Sequence, residues 1–139
     1  MGQVSLESLA VGDTLPVLTT APVSRTTLAL FAGASGDHNP IHIDLDVARE
    51  AGMQDVFAQG MLSMAYLARM LTDWVPQSCL REFSNRFTAI TWLGERIVCS
   101  GQVAEMFERD GERLVRIEVT AANERGELKL AGEALVALP

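Results

Sequence analysis

The sequence predicts an α+β domain in which a curved antiparallel sheet wraps around one long apolar helix. Residues 59–76, QGMLSMAYLARMLTDWVP, are apolar around almost the whole helical circumference, and such a helix is either buried or within a membrane. From residue 80 onward apolar and polar residues alternate, as in RLVRIEVTA, which indicates strands. One buried helix and a long sheet combine most simply when the sheet curls around the helix. This arrangement is the hot-dog architecture, which we take as the predicted fold.

The chain is long enough for one domain with its own core, because it has 139 residues and no repeat, low-complexity tract or linker-like stretch. We therefore treat residues 1–139 as a single domain. The apolar run is interrupted by Arg69, so it falls short of the roughly 20 residues that a membrane span requires. The N-terminal MGQVSLESLAVGD lacks the apolar region of a signal peptide, and Cys79 and Cys99 form no CxxC pair. We expect a cytoplasmic protein with reduced thiols and no membrane association.

The helices that precede the apolar run have recognisable boundary signals. A short extended segment, LPVLTTAPV, comes first. SRTTLALFAGASG then predicts a helix with Ser24 as its N-cap and Gly33 or Gly36 as its end. DLDVAREAG predicts one or two further helical turns that end at Gly52.

Four strands are predicted after the apolar helix, with the sequences REFSNRFTAITW, ERIVCSGQVAEMF, RLVRIEVTA and ELKLAGEALVAL. The pairs Gly94-Glu95, Asp110-Gly111 and Arg125-Gly126 mark the turns between them. Consecutive strands joined by short turns predict an antiparallel meander.

The charge balance disfavours a nucleic-acid partner. The formal net charge is −7, whereas phosphate binding needs a clustered basic face. An anionic ligand would have to be met by a local group of basic residues, and nearly all basic residues here are arginines.

Both histidines of the chain fall within AGASGDHNPIHID, residues 32–44. Pro40 prevents a regular α-helix through this segment, so we expect it to leave a helix and enter extended backbone. In extended backbone His42 would point away from its apolar neighbours on either side, towards a cleft. A bend at Asn39 and Pro40 can bring the Asp37 carboxylate to the same place, and a carboxylate and an imidazole sharing a water are typical of acid–base catalysis.

The residues alone leave other interpretations open. GDHNP is also suited to a simple turn stabilised by local hydrogen bonds, which is the more common role of such clusters. A metal site formed by Asp37, His38 and His42 is disfavoured, because Pro40 breaks the helical spacing and no fourth ligand is evident. A serine hydrolase is disfavoured because no GxSxG motif is present.

FAGASGDHNPIHID followed by AQGML resembles the signature of the MaoC-like family of (R)-specific enoyl-CoA hydratases and 3-hydroxyacyl dehydratases, and the resemblance continues through RFTAI to AGEALVALP. It implies a single hot-dog hydro-lyase. The expected reaction is the reversible hydration of trans-2-enoyl thioesters, carried by CoA or acyl carrier protein, to (R)-3-hydroxyacyl thioesters. The resemblance implies neither a metal nor a redox cofactor.

The resemblance also assigns site residues. Asp37 and His42 fall on the family's catalytic pair, and Asn39 falls on the asparagine that shapes the site. His38 occupies a variable position and is not expected to be catalytic. The backbone N–H of Gly60 is expected to bind the thioester oxygen, because helix N-termini present unpaired N–H groups.

Further substrate contacts are expected from Met61 in an acyl tunnel and from Arg86 at its mouth. Met64, Tyr66 and Met70 are candidates for the same tunnel, although apolar residues on a buried helix are more often core. The chain departs from many relatives at Gln59, where they carry histidine, and at Ala68, where some carry serine.

The expected assembly is a homodimer whose sheets pair edge to edge, or a heteromer with another hot-dog chain. Two other functions are considered. A thioesterase is disfavoured because residues 60–71 contain no Asp or Glu. An auxiliary subunit of a heteromeric dehydratase is disfavoured by the intact pair Asp37 and His42.

Overall fold

The computed structural model describes residues 5–139. A five-stranded, wholly antiparallel sheet packs against one helix, which confirms the predicted α+β hot-dog fold. The strands follow the order β1-β3-β4-β5-β2 across the sheet. Their bounds are Leu18–Thr19 for β1, Leu80–Phe87 for β2, Ile97–Arg109 for β3, Glu112–Asn123 for β4 and Leu128–Ala137 for β5.

The predicted meander is correct for β3, β4 and β5 and wrong for β2. Strand β2 pairs with β5, so that β2 forms one edge of the sheet while β3 lies beside β1 near the other. The predicted strand REFSNRFTAITW stops at Phe87, because its last part leaves the sheet: Thr91 accepts a hydrogen bond from the N–H of Ala58 instead. We call residues 88–95, which run from β2 towards β3, the crossing segment.

The shorter helices begin and end where the sequence predicts. Helix α1 spans Arg25–Ser35, with the Ser24 hydroxyl accepting from the N–H of Thr27 and Gly36 ending the helix at a φ of 78°. Helix α2 spans Leu45–Glu50 and is capped by the Asp44 carboxylate. Glycine ends α1 at position 36 because it has no Cβ and adopts a positive φ without steric strain.

Helix α3, Gly60–Trp74, lies against the sheet with one face only. Its buried residues are Leu62, Ser63, Leu67, Met70 and Leu71. Met61 is 52% exposed and Ala65 is also exposed, so the prediction of a helix buried on every side is wrong for the single chain. The concave side of one sheet covers only part of the helical circumference. Among residues 5–139, no helix is long and apolar enough to cross a membrane.

Candidate active site

The segment that holds both histidines is a tight turn and not extended backbone as predicted. Pro40–His42 form one turn of 3-10 helix, because the fixed φ of proline suits the first helical position. The Asn39 side chain caps this turn by accepting from the N–H of Ile41 at 3.1 Å. The turn directs His42 inward, where it is 9% exposed, and leaves Ile43 49% exposed. The alternation expected for extended backbone is therefore absent, because His42 is buried while its apolar neighbour Ile43 is exposed.

Asp37 and His42 are brought together across this turn. The Nε2 atom of His42 lies 3.8 Å from Oδ2 of Asp37. This distance is too long for a direct hydrogen bond, and a water molecule at ordinary hydrogen-bonding distance from both atoms fits the geometry. The Asp37 side chain is 41% exposed, and its other carboxylate oxygen accepts from the N–H of Asn39 at 3.3 Å. Asn39 therefore orients the carboxylate as well as capping the turn.

The backbone carbonyl of Phe57 fixes the orientation of the His42 ring. Nδ1 of His42 lies 2.8 Å from this oxygen. A carbonyl can only accept, so Nδ1 carries the proton and the neutral imidazole leaves Nε2 as an acceptor that faces Asp37. The Phe57 ring meets the imidazole edge-on, with centroids 5.0 Å apart. Sequence reasoning missed Phe57, because a backbone carbonyl leaves no signal in residue types.

The start of α3 lies next to this pair. No side chain caps the helix at Gln59, so its first N–H groups and the positive end of its dipole have no side-chain partner there. Gly60 also permits a close approach by the ring of Phe87, since a Cβ at this position would stand 2.9 Å from that ring. Alanine at Gly60 would force the phenylalanine ring to move.

A cavity of about 350 Å³ opens beside Gly60. It is mostly apolar, with a buried pair of hydroxyls from Ser63 and Thr91 that lie 3.4 Å apart. We call it the α3 pocket, and its lining residues are Phe57, Ala58, Gly60, Ser63, Phe87, Ala89, Ile90, Thr91 and Leu130. Phe57 connects the pocket to the pair, because it lines the pocket and holds His42.

Two of the predicted substrate contacts lie away from this pocket. Met61 is exposed and is not among the lining residues. Arg86 lines a separate depression on the sheet with Glu118 and Glu133. His38 is exposed. Met70 lines a third depression beside β1.

Gln59, one of the departures from many relatives, is a structural link in this chain. Its side chain is 1% exposed, and its amide nitrogen donates to the backbone oxygen of Leu28 at 3.0 Å. This bond ties α1 to the residue before α3. Gln59 therefore fixes where the helix begins, while its amide oxygen has no partner among the described residues.

The comparison with known proteins decides the family. A family model described as MaoC like domain matches residues 9–125. The chain belongs to this family. Its relatives include the mitochondrial 3-hydroxyacyl-[acyl-carrier-protein] dehydratase of Arabidopsis thaliana, which is 28% identical over 94% of this chain and 78% of its own length. The (R)-specific enoyl-CoA hydratase of Rhodospirillum rubrum is 28% identical over 84% of this chain and 81% of its own length.

A solved structure agrees with this assignment to the MaoC-like family. The unliganded R-hydratase PhaJ1 from Pseudomonas aeruginosa superposes with a TM-score of 0.85 and 27% identity. The match covers 99% of this chain and 86% of that one. The hot-dog fold is thus common to both proteins.

Proposed function

We propose that this protein catalyses the reversible hydration of trans-2-enoyl thioesters to (R)-3-hydroxyacyl thioesters. Its relatives are hydratases and dehydratases, and the chain is an enzyme of their class, the hydro-lyases. The observation that carries the proposal is the pairing of Asp37 with His42 across 3.8 Å, beside the uncapped start of α3.

In this proposal one water molecule donates hydrogen bonds to Oδ2 of Asp37 and to Nε2 of His42. The water oxygen adds to C3 of the substrate as the π bond between C2 and C3 breaks. One water proton passes to the Asp37–His42 pair, and the pair returns a proton to C2. Because Phe57 holds the proton on Nδ1, Nε2 is free to accept at the start of the reaction. Dehydration follows the same steps in reverse.

Negative charge develops on the thioester oxygen during this addition. We assign its stabilisation to the backbone N–H of Gly60, since a helix N-terminus offers an unpaired donor and a positive dipole end. The missing side chain of Gly60 also lets the thioester approach the backbone. These steps require neither a metal nor a redox cofactor.

The acyl chain is proposed to occupy the α3 pocket, which adjoins both Gly60 and Phe57. Its volume and mostly apolar lining suit a short or medium acyl chain. The carrier is CoA or acyl carrier protein, both of which present the same thioester. Met61 stays a prediction as a contact in the acyl tunnel and Arg86 as a contact to the carrier arm at its mouth, although neither lines this pocket.

The proposed assembly is a homodimer formed through β2, with a heteromer of two hot-dog chains as the alternative. Strand β2 pairs only with β5 among the described residues, so its outer edge can accept another strand. Exposed apolar side chains at Met61, Phe87 and Ile90 lie at the same end of the molecule as Gly60. A second chain would cover them. Size-exclusion chromatography with light scattering measures the mass: twice that of the chain supports the homodimer, and a monomer contradicts it.

Product analysis tests the proposed reaction. The purified protein is incubated with crotonyl-CoA in D2O, and the product is analysed by mass spectrometry and chiral chromatography. We expect (R)-3-hydroxybutyryl-CoA that carries one deuterium at C2. Release of free CoA would indicate a thioesterase instead, and an (S) product would contradict the proposed geometry.

A further inference from the structure

The chain contains a single lysine, Lys129 on β5, and it is completely buried. Its Nζ donates to the backbone oxygen of Ile90 at 2.7 Å and lies 3.0 Å from Oε2 of Glu95. It also contacts the carboxylate of Glu127. A buried ammonium is tolerated only with such partners, because it loses its hydration. The lysine is therefore fixed on the crossing segment, to which Ile90 and Glu95 belong.

Glu95 is fully partnered as well, although only 5% of it is exposed. Its two carboxylate oxygens accept from the N–H of Trp92 at 2.9 Å and from the amide of Asn123 at 2.8 Å. Burial alone would raise the pKa of this carboxyl, but the donors Asn123, Trp92 and Lys129 hold the pKa below its ordinary value. The Glu95 carboxyl is therefore ionised at neutral pH, and its contacts with Lys129 and Asn123 join β5 and the end of β4 to the crossing segment.

The same segment forms one wall of the α3 pocket. Ala89, Ile90 and Thr91 line the cavity. Within residues 88–95 the structure contains no helix or strand, and only an isolated bridge joins Trp92 to Phe57. Backbone bonds hold the segment at Thr88, whose N–H donates to the Lys129 oxygen, and at Thr91, whose oxygen accepts from the N–H of Ala58. Between these two positions, the Lys129 side chain holds Ile90, a residue of the wall itself, by donating to its backbone oxygen.

We propose that the buried pair of Lys129 and Glu95 positions this wall and thereby determines which acyl chains the enzyme accepts. This inference rests on the proposed function, which places the acyl chain in the α3 pocket. Lys129 and Glu95 do not touch the substrate in this account, so they are positioning residues. A buried ion pair adds little net stability compared with apolar residues of similar size, whereas its directed hydrogen bonds fix a backbone position.

The kinetic test compares Lys129→Met with the double variant Lys129→Met/Glu95→Gln. The double variant removes both charges, so it avoids leaving an isolated carboxylate in the interior. Arg116→Met is the matched control, because Arg116 pairs with Glu105 and Glu133 outside the pocket. Each variant is assayed with crotonyl-CoA and with trans-2-octenoyl-CoA.

We expect both wall variants to raise KM for the octenoyl substrate, while kcat for the crotonyl substrate stays close to that of the unmodified enzyme. Each methylene that loses its contact with the wall weakens binding by about fourfold, so two methylenes lower the ratio of octenoyl to crotonyl kcat/KM by about 16-fold. The control should leave this ratio unchanged. An equal change for both substrates in the double variant would overturn the proposal, since general destabilisation does not discriminate between chain lengths.

Amide hydrogen exchange gives a readout that needs no substrate. In the double variant we expect faster exchange at two amides. The amide of Trp92 lies within the crossing segment and donates to Glu95, and the amide of Ala58 donates to Thr91 of that segment. Exchange at Val103 and Ile117, in the middle of the sheet, should stay unchanged. Unchanged exchange at Trp92 and Ala58 would overturn the positioning role even if the enzyme were inactive. Absence of turnover by the unmodified enzyme, with the predicted exchange pattern, would contradict only the proposed function.

Discussion

Replacing His42 separates its chemistry from its structural role, because its two ring nitrogens face different partners. Nδ1 bonds to the Phe57 carbonyl at 2.8 Å, and Nε2 faces Asp37. The amide nitrogen of asparagine can take the place of Nδ1, whereas asparagine has no counterpart of Nε2. His42→Asn therefore keeps the structural bond and removes the catalytic atom. His42→Ala removes both.

The expected magnitudes differ between the two variants. Both should lose activity by about 10²–10⁴-fold, the usual effect of removing a positioned acid or base. His42→Asn loses the edge-on ring contact with Phe57, which is worth about 0.5–1.5 kcal/mol. His42→Ala in addition leaves the Phe57 oxygen without its donor, at a further cost of about 1–3 kcal/mol. For a chain of this size, each kcal/mol lowers Tm by roughly 4 °C.

Thermal unfolding followed by circular dichroism, together with the initial rate of crotonyl-CoA hydration, measures both effects. We expect similar rates and a Tm that is clearly higher for His42→Asn than for His42→Ala. Activity of His42→Asn close to that of the unmodified enzyme would refute the role of Nε2. Equal Tm values would refute the structural role of the bond to Phe57.

Three further predictions follow from the geometry. Gly60→Ala should lower kcat/KM by about tenfold or more, because the new Cβ displaces the exposed ring of Phe87 and narrows the α3 pocket. The free energy of unfolding should change by about 1 kcal/mol or less. Steady-state kinetics and Tm measure the two effects, and unchanged kinetics would contradict the prediction. Cys99 should react with a thiol reagent only after unfolding, since burial raises the pKa of its thiol to about 12. The half-buried Cys79 should react in the native protein. Labelling of both cysteines at equal rates would contradict this prediction. Glu95→Gln should make the loss of Tm on acidification shallower, because the pKa of Glu95 is lowered in the folded protein. The stability that the Glu95 carboxylate contributes is present above its unfolded pKa of about 4.3 and disappears as the pH falls through its folded pKa. An unchanged slope of Tm against pH below about pH 5 would argue against this prediction.

The sequence predicts the elements well because local signals set them. Alternation in RLVRIEVTA gives β4, and the Ser24 hydroxyl and Gly36 bound α1. The neighbour of β2 could not be predicted, since pairing with β5 depends on contacts far apart in the chain. The burial of Lys129 has the same origin. Its position on β5 indicates only a side of the strand, and its partners Ile90 and Glu95 come from the crossing segment.

The sequence indicates candidate residues for the site, but it does not predict their geometry. Asp37, His42 and Gly60 were assigned by a motif, and the structure places all three at the same end of the chain's core. The inward turn of His42 arises because Pro40 starts a 3-10 turn, which the expectation of extended backbone overlooked. The partner of His42 is a backbone carbonyl, for which no residue type is a signal.

We propose that Asp37 and His42 together add water to an enoyl thioester. The most direct test follows the loss of conjugated-thioester absorbance of crotonyl-CoA with the unmodified enzyme, Asp37→Asn and His38→Ala, each checked for correct folding. We expect turnover by the unmodified enzyme, a loss of about 10²–10⁴-fold in Asp37→Asn, and nearly full activity in His38→Ala, whose replaced side chain is exposed. Full activity of Asp37→Asn, or a comparable loss in His38→Ala, would contradict it.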